Sequence, residues 1–254
     1  MWGTVNRMHE YLEPLMTLRL TVRSTNTTSA GQISVEPRAL ILGGFSARSV
    51  EVNERHIVEL HTLGIEPPAQ TPAFWHMSPW LVTTGSQIEV QGASTSGEIE
   101  YALIGHDGRT YVAVASDQTD REFERHSIPR SKQLCQKVLS DEVIPLDELI
   151  DVWDDIEIAS EVSTDDVGWR PYQRDRLATM LDPRALVRAC SGTDDLPDGT
   201  ILLSGTIPLI DGVTRYEPLF RGTLTVPGSH TALRLNYRVE VLPEIITTKE
   251  TIVA

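Results

Sequence analysis

The stretch SGEIEYALIGHDGRTYVAVASDQTDREFERHSIPRSK, residues 96–132, decides how the chain is read. Glu98 and Glu100 flank Ile99 at the start of an apolar run. Side chains at i and i+2 of a strand project to one face, so the two glutamates point the same way. Ile99, Tyr101 and Leu103 then point the other way. The run breaks at His106-Asp107-Gly108, an Asp-Gly hairpin signal, and resumes as the apolar segment Thr110–Ala115. That return strand ends at Ser116-Asp117 and carries a third carboxylate back toward the first two. Three converging carboxylates repel one another unless a cation lies between them. An all-oxygen donor set suits Mg2+ or Mn2+ rather than zinc or copper. Taken alone, an E-x-E pair is more often the pattern of a solvated sheet face.

Upstream, the segment from Val52 to Gly64 has helical periodicity. Val52, His56, Glu59 and Leu63 share a face, and Gly64 stands at the expected C-cap. His56 and Glu59 are three residues apart, within reach of each other on a helix. They read either as a general-base dyad, Glu59 orienting an imidazole that takes a proton from water, or as an incidental surface pair. Lys132 reads as a cation near the carboxylates, stabilising developing negative charge, or as a solvated lysine. Arg121 reads as a bidentate partner tying neighbouring carboxylates together.

The chain has 254 residues, 40% of them hydrophobic and 23% charged, an ordinary globular composition. Its net charge of −14 argues against nucleic-acid binding, which needs a basic footprint. The two cysteines, Cys135 and Cys190, suit a reducing compartment without a disulfide framework. No run of about 18 apolar residues suggests a membrane span, and residues 1–14 lack the pattern of a secretory signal. The expectation is a cytoplasmic protein. No G-x-G-x-x-G, G-x-x-x-x-G-K, G-x-S-x-G, C-x-x-C or H-E-x-x-H occurs, which speaks against a doubly wound nucleotide fold, a serine-hydrolase elbow and a zinc site.

Residues 15–24 and 39–42 read as strands, and with the polar turn between them form a small N-terminal β module, 1–50, ahead of a main domain, 51–254. Leu146–Trp153 is expected as a short helix, Ile156–Val162 as a strand with a solvated acidic face and Gln173–Leu181 as a helix. A further helix, Arg184–Ala189, follows the Asp182-Pro183 cap. Thr200–Ser204, Leu219–Val226 and Ala232–Val241 are strands, and residues 243–254 a tail or edge strand. Many short strands and few helices predict a mixed α+β, β-rich fold.

In order along the chain, several segments resemble the fumarylacetoacetate hydrolase-like superfamily. The segment Ser116-Asp117-Gln118-Thr119-Asp120-Arg121-Glu122 matches that family's N-D-x-[ST]-x-R-D, and Arg130-Ser131-Lys132 its R-x-K. Ser204-Gly205-Thr206-Ile207-Pro208 follows its T-G-T-P loop, and Asn53 to Glu59 keeps its H-x-x-E. The chain looks most like a bacterial branch of unassigned function carrying SGE-x-E, SD-x-TDR and SKQLC. Three differences stand out: the Glu100–Asp117 gap is shorter, the Asn53–His56 spacing is one residue short, and Ile207 alters the glycine-rich loop.

The resemblance implies a rolled mixed β-sheet and a Mg2+ or Mn2+ held by Glu98, Glu100 and Asp117. It further implies catalysis by His56, Glu59 and Lys132, substrate contacts from Gln118, Arg121 and Thr206, and a homodimer. The activity it implies is C–C bond hydrolysis in an acylpyruvate-like or other β-diketo or 2-oxo acid. Decarboxylase, isomerase and cyclase or dehydratase chemistry use the same metal site and stay open, as does a non-catalytic binding protein of the same fold.

Overall fold

The computed structural model describes residues 16–27, 30–62, 67–229 and 231–243, apart from the side chains of His56, Glu59 and Leu60. The expected tail beyond Pro243, the Gly64 cap and residues 1–14 lie outside that set. In chain order the first strands are β1 (Leu18–Val22), β2 (Gly31–Val35) and β3 (Ala39–Gly44), followed by helix α1 (Val50–Thr62). Next come β4 (Ala73–Met77), β5 (Val82–Thr83), β6 (Gln87–Val90) and β7 (Thr95–Ser96). The hairpin β8 (Ile99–His106) and β9 (Arg109–Asp117) leads to β10 (Thr119–Asp120), α2 (Arg121–Glu124) and α3 (Ile128–Gln133). The rest is β11 (Lys137–Leu139), β12 (Glu142–Pro145), β13 (Glu157–Ser163), β14 (Arg170–Arg176), α4 (Pro183–Ser191), β15 (Thr200–Leu203), β16 (Leu219–Thr225) and β17 (Ala232–Val241).

Ten strands form one curled mixed sheet in the order β2-β1-β12-β9-β8-β15-β3-β4, with β11 and β5 branching from β9. Five more form a second sheet, β14-β13-β16-β17-β6, and β7 pairs with β10 alone. The large sheet is apolar on both faces, so its central strands read as nearly unbroken hydrophobic runs. One face of β8 and β9 (Ile99, Tyr101, Leu103, Val112, Val114) joins Phe220, Leu224, Leu235 and Tyr237 of the second sheet in one core. The other face (Ala102, Ile104, Ala113, Ala115) packs inside the curl against Leu20, Leu40, Leu42 and Val82. Each such fully buried aliphatic side chain stabilises the fold by about 1.5–3 kcal/mol. The second sheet turns its outer face to solvent, and β17 accordingly alternates buried and exposed residues along its length.

Two expectations of secondary structure, at residues 146–153 and 173–181, need correction, and the first strands take the following places. Strands β1, β2 and β3 belong to the large sheet, β1 pairing parallel with β12 and β3 parallel with β15. The chain before residue 50 therefore contributes strands to the common sheet rather than a sheet of its own. The segment Gln173–Leu181 is not a helix: Leu177–Thr179 is a 3-10 turn, and the first four residues end the strand Arg170–Arg176, which finds an open sheet edge beside β13. Pro171 is tolerated there because an edge strand has one unpaired side. A register shift at Ser160/Glu161 turns Tyr172 and Gln173 both inward. Leu146–Trp153 is two short 3-10 turns, Leu146–Glu148 and Ile150–Asp155, rather than one α-helix. No helix among the described residues is long and apolar enough to cross a membrane.

Candidate metal centre

The β8–β9 hairpin brings the three carboxylates together. Its two-residue turn has positive φ at both positions, 49° at Asp107 and 68° at Gly108, which matches the twist of the flanking strands. The resulting register sets Ile99 opposite Ser116, and the Asp117 N–H donates to the Glu98 carbonyl at 2.9 Å. Glu98 and Asp117 therefore face each other across the ladder, with Glu100 two residues along on the same side. One carboxylate oxygen from each lies within 4.8 Å of the others. Glu100 and Asp117 are buried, and the Glu98 side chain is 16% exposed.

After Asp117 the chain folds back over this face. Strand β10 pairs with β7, and the Asp120 carboxylate caps α2 by accepting the Phe123 N–H at 2.8 Å. Ser127 caps α3, whose first turn contains Pro129, and α3 returns Lys132 to the carboxylates. Lys132 Nζ lies 2.9 Å from Glu98 Oε2 and 2.5 Å from Asp117 Oδ2. Arg121 contacts Glu98 Oε1 and Glu124 Oε2, each at 3.0 Å, and donates from Nε to Ser96 Oγ. Behind Asp117, β11 places Lys137 directly opposite it in register. Lys137 Nζ is 2.8 Å from Asp117 Oδ1 and donates to the Gln118 and Lys132 carbonyls. Asp117 Oδ1 is buried and accepts no aligned hydrogen bond, so the Lys137 contact is one of charge rather than of direction.

The electrostatics separate the two glutamates. Burial by itself raises the Glu98 pKa, but the charges of Arg121 and Lys132 outweigh it and hold this carboxyl ionised, well below the usual range. Glu100 goes the other way: burial and the neighbouring Asp117 charge push it well above, against the pull of Lys132 and the Gly205 N–H. Burial disfavours the Lys132 ammonium, yet Asp117 and Glu98 more than compensate and keep it protonated. The residues fit a hard divalent cation: three oxygen donors converge, and one buried aspartate oxygen has no hydrogen bond.

The other predicted residues take varied places. Gln118 is buried, its amide donating to Thr95 Oγ1 at 2.8 Å and accepting from the Tyr237 hydroxyl at 2.7 Å. Thr206 is exposed and sits beside the triad, its hydroxyl donating to the Ile99 carbonyl at 2.9 Å. Next to it, the Gly205 N–H donates to Glu100 Oε2 at 2.8 Å. Gly205 has φ 89°, and a Cβ there would lie 2.5 Å from Ser46 Oγ, so only glycine brings this N–H to the carboxylate without strain. His56 and Glu59 fall on α1, but their side chains are outside the described set. The start of α1 is tied toward the site: Asn53 hydrogen-bonds both backbone groups of Ala47, and Ser46 Oγ donates to the Ser204 carbonyl.

Reading the sequence missed Lys137, Gln173 and Glu124. Lys137 leaves one trace, a lysine opening the otherwise apolar three-residue strand Lys-Val-Leu. Elsewhere, a surface cleft of about 470 Å3 lined by Arg48, Trp153, Asp154 and Asp182 contains none of the triad. Its Arg48–Asp154 pair is largely exposed, unlike the buried carboxylates of the triad.

No curated protein matches the chain in sequence. Among solved structures, that of Cg1458 with inhibitor aligns at TM-score 0.62 and 14% identity, over 89% of this chain and 90% of that one. The apo form of 2-keto-3-deoxy-D-arabinonate dehydratase aligns at TM-score 0.57 and 17% identity, over 87% of this chain and 79% of that one. The same dehydratase complexed with magnesium and 2,5-dioxopentanoate aligns at 0.57 and 15%, over 86% and 79%. At these identities the likeness shows the fold, which is of the fumarylacetoacetate hydrolase-like type. Residues 43–237 match the model of one family, and the chain accordingly belongs to the family described as "Protein of unknown function (DUF2848)".

Proposed function

We propose that this protein is a Mg2+- or Mn2+-dependent enzyme acting on a 2-oxo acid, and that it hydrolyses a C–C bond in an acylpyruvate-like or other β-diketo acid. The observation that carries the reading is the convergence of Glu98, Glu100 and Asp117 under a buried Lys132. When bound there, the ion supplies Lewis-acid stabilisation of negative charge on a 2-oxo carboxylate.

The chain's own residues do the rest. Glu98, Glu100 and Asp117 hold the cation. Lys132, kept as an ammonium, offers fixed positive charge to a substrate carboxylate and to charge that develops on its oxygens. Arg121 holds Glu98 in place, and the Gly205-Thr206 loop frames the substrate beside Glu100. Glu59 orients His56, whose imidazole nitrogen takes a proton from water as the water oxygen bonds to the distal carbonyl carbon. The C–C bond then breaks, its electron pair stays with the oxo-acid fragment, and the proton on His56 returns to that carbon. One water is consumed, and two carboxylic acids leave.

Dehydration of a hydroxylated 2-oxo acid is the second reading, favoured by a dehydratase of that kind sharing the fold. The test is titration of metal-stripped protein with Mn2+ and Mg2+ beside Glu100→Ala, then assay with acylpyruvates, oxaloacetate and a 2-keto-3-deoxy sugar acid. Saturable binding lost in the variant, with turnover of an acylpyruvate, supports hydrolysis. Turnover of the deoxy sugar acid alone favours dehydration. Wild-type protein that binds neither ion, with or without the oxo acids, sinks the proposal.

A further inference from the structure

The spacing of the Glu98–Glu100 pair is not fixed by sheet pairing alone. On one side β8 pairs with β9, but on the other its neighbour β15 stops at Leu203, which pairs with Ala102. Beyond that point the outer edge of β8 runs on past Tyr101 to Ile99 with no strand beside it among the described residues. The Ser204 N–H reaches the Tyr101 carbonyl, and further along the same edge both backbone groups of Ile99 are satisfied by side chains. The Ile99 N–H donates to Gln173 Oε1 at 3.0 Å, and the Ile99 carbonyl accepts from the Thr206 hydroxyl at 2.9 Å. Ile99 is the residue between the two glutamates, so both peptide groups that separate their Cα atoms are held from this side.

Gln173 closes the arrangement. It is buried on β14 of the second sheet, and its amide uses its full bonding capacity. Oε1 accepts from the Ile99 N–H and from Ser160 Oγ, and Nε2 donates to Thr206 Oγ1 at 2.7 Å and to the Ile207 carbonyl at 2.6 Å. A backbone N–H can only donate and a carbonyl can only accept, so these partners fix which end of the amide is oxygen. The amide thus ties the backbone between the glutamates to the loop whose Gly205 N–H holds Glu100 Oε2. We propose that Gln173 is a positioning residue of the metal centre, standing in for the missing strand and setting the separation and aim of Glu98 and Glu100. The inference rests on the metal reading proposed for that site.

The experiment is Mn2+ titration of the full chain, well below the melting temperature, for wild type, Gln173→Met, Thr206→Val and Ser160→Ala. Methionine keeps the length of glutamine without its hydrogen bonds. Gln173→Met is expected to weaken Mn2+ binding at least about tenfold, and Thr206→Val to weaken it by a smaller factor in the same direction. Ser160→Ala removes a bond to the same amide but leaves the clamp on Ile99 and the loop. It is expected to lower the melting temperature and keep the wild-type Kd, which separates positioning from general stability. A folded Gln173→Met with wild-type Kd overturns the proposal, and if that variant does not fold, a wild-type Kd in Thr206→Val overturns it. Wild-type protein without Mn2+ affinity overturns the metal reading itself, and this inference with it.

Discussion

Replacing Lys137 with methionine should destabilise the protein far more than losing a surface ion pair. Lys137 is completely buried, lies 2.8 Å from Asp117 Oδ1 and donates to the carbonyls of Gln118 and Lys132. Methionine fills nearly the same space, so the cost comes from the stranded groups rather than from a cavity. Removing one partner of a buried ion pair costs about 3–5 kcal/mol. For a chain of this size each kcal/mol moves the melting temperature by about 2–4 °C, so a fall of roughly 6–20 °C is expected. The measurement is urea and thermal denaturation at neutral pH with chelator, for Lys137→Met, Asp117→Asn and the double variant. Asparagine carries no charge, so in that background Lys137→Met should cost half as much or less, the remainder being the two carbonyls. A loss under about 1 kcal/mol for the single variant, the value of an exposed pair, would refute the reasoning. So would an equal cost in both backgrounds, since the lysine would then not be acting through Asp117.

Further outcomes follow from the site. Glu100 has its pKa raised by burial and by the Asp117 charge, so a proton must leave it when a cation binds. Mn2+ affinity should therefore rise with pH, with proton release in calorimetry run in buffers of different ionisation enthalpy; an affinity flat between about pH 5 and 8 counts against it. In the metal-free protein the raised Glu100 pKa contributes stability that is full below its ordinary value of 4.5 and is lost as pH rises through the folded value. Glu98 does the opposite: burial opposes its ionisation but Arg121 and Lys132 prevail, so its contribution is present above 4.5 and is lost only in strong acid. His56→Ala should cut hydrolytic turnover by about 100-fold or more while Mn2+ affinity stays at the wild-type value, and undiminished turnover removes His56 from the mechanism.

What the sequence disclosed and what it hid divide along the range of the interactions involved. The β8–β9 hairpin was legible because a two-residue Asp-Gly turn fixes its own register, and register alone puts Glu98 opposite Asp117. Lys132 was legible only through the resemblance of Arg130-Ser131-Lys132 to the family's R-x-K. Lys137 was not, since only the pairing of β11 with β9 shows that this lysine meets the same aspartate. Gln173 was hidden twice over: its segment, rich in Arg, Leu, Ala and Met, favours a helix locally, and the β13 edge that makes it a strand is set by the fold. The partner of the first strand was hidden for a related reason. β1 pairs parallel with β12, about 120 residues away, and no local pattern announces such a partner.

The strongly acidic chain raises a question that the buried site answers. A protein with net charge −14 is a poor general attractor for an anionic substrate. Around the triad, however, the charges are nearly balanced. Glu98, Glu100, Asp117 and Glu124 face Arg121, Lys132 and Lys137, four carboxylates against three cations. With every group ionised this cluster carries one net negative charge, and protonation of Glu100 cancels it. A divalent cation taken up with loss of that proton leaves the same cluster net positive by one. The sign of the local field is then set by the cation rather than by the surface, so under the proposed function a monoanionic oxo acid would be drawn in only once the centre is loaded. On that account metal should bind first and substrate second. Substrate affinity in the absence of the ion should be weak whatever the ionic strength, because long-range attraction by the surface is missing from the start.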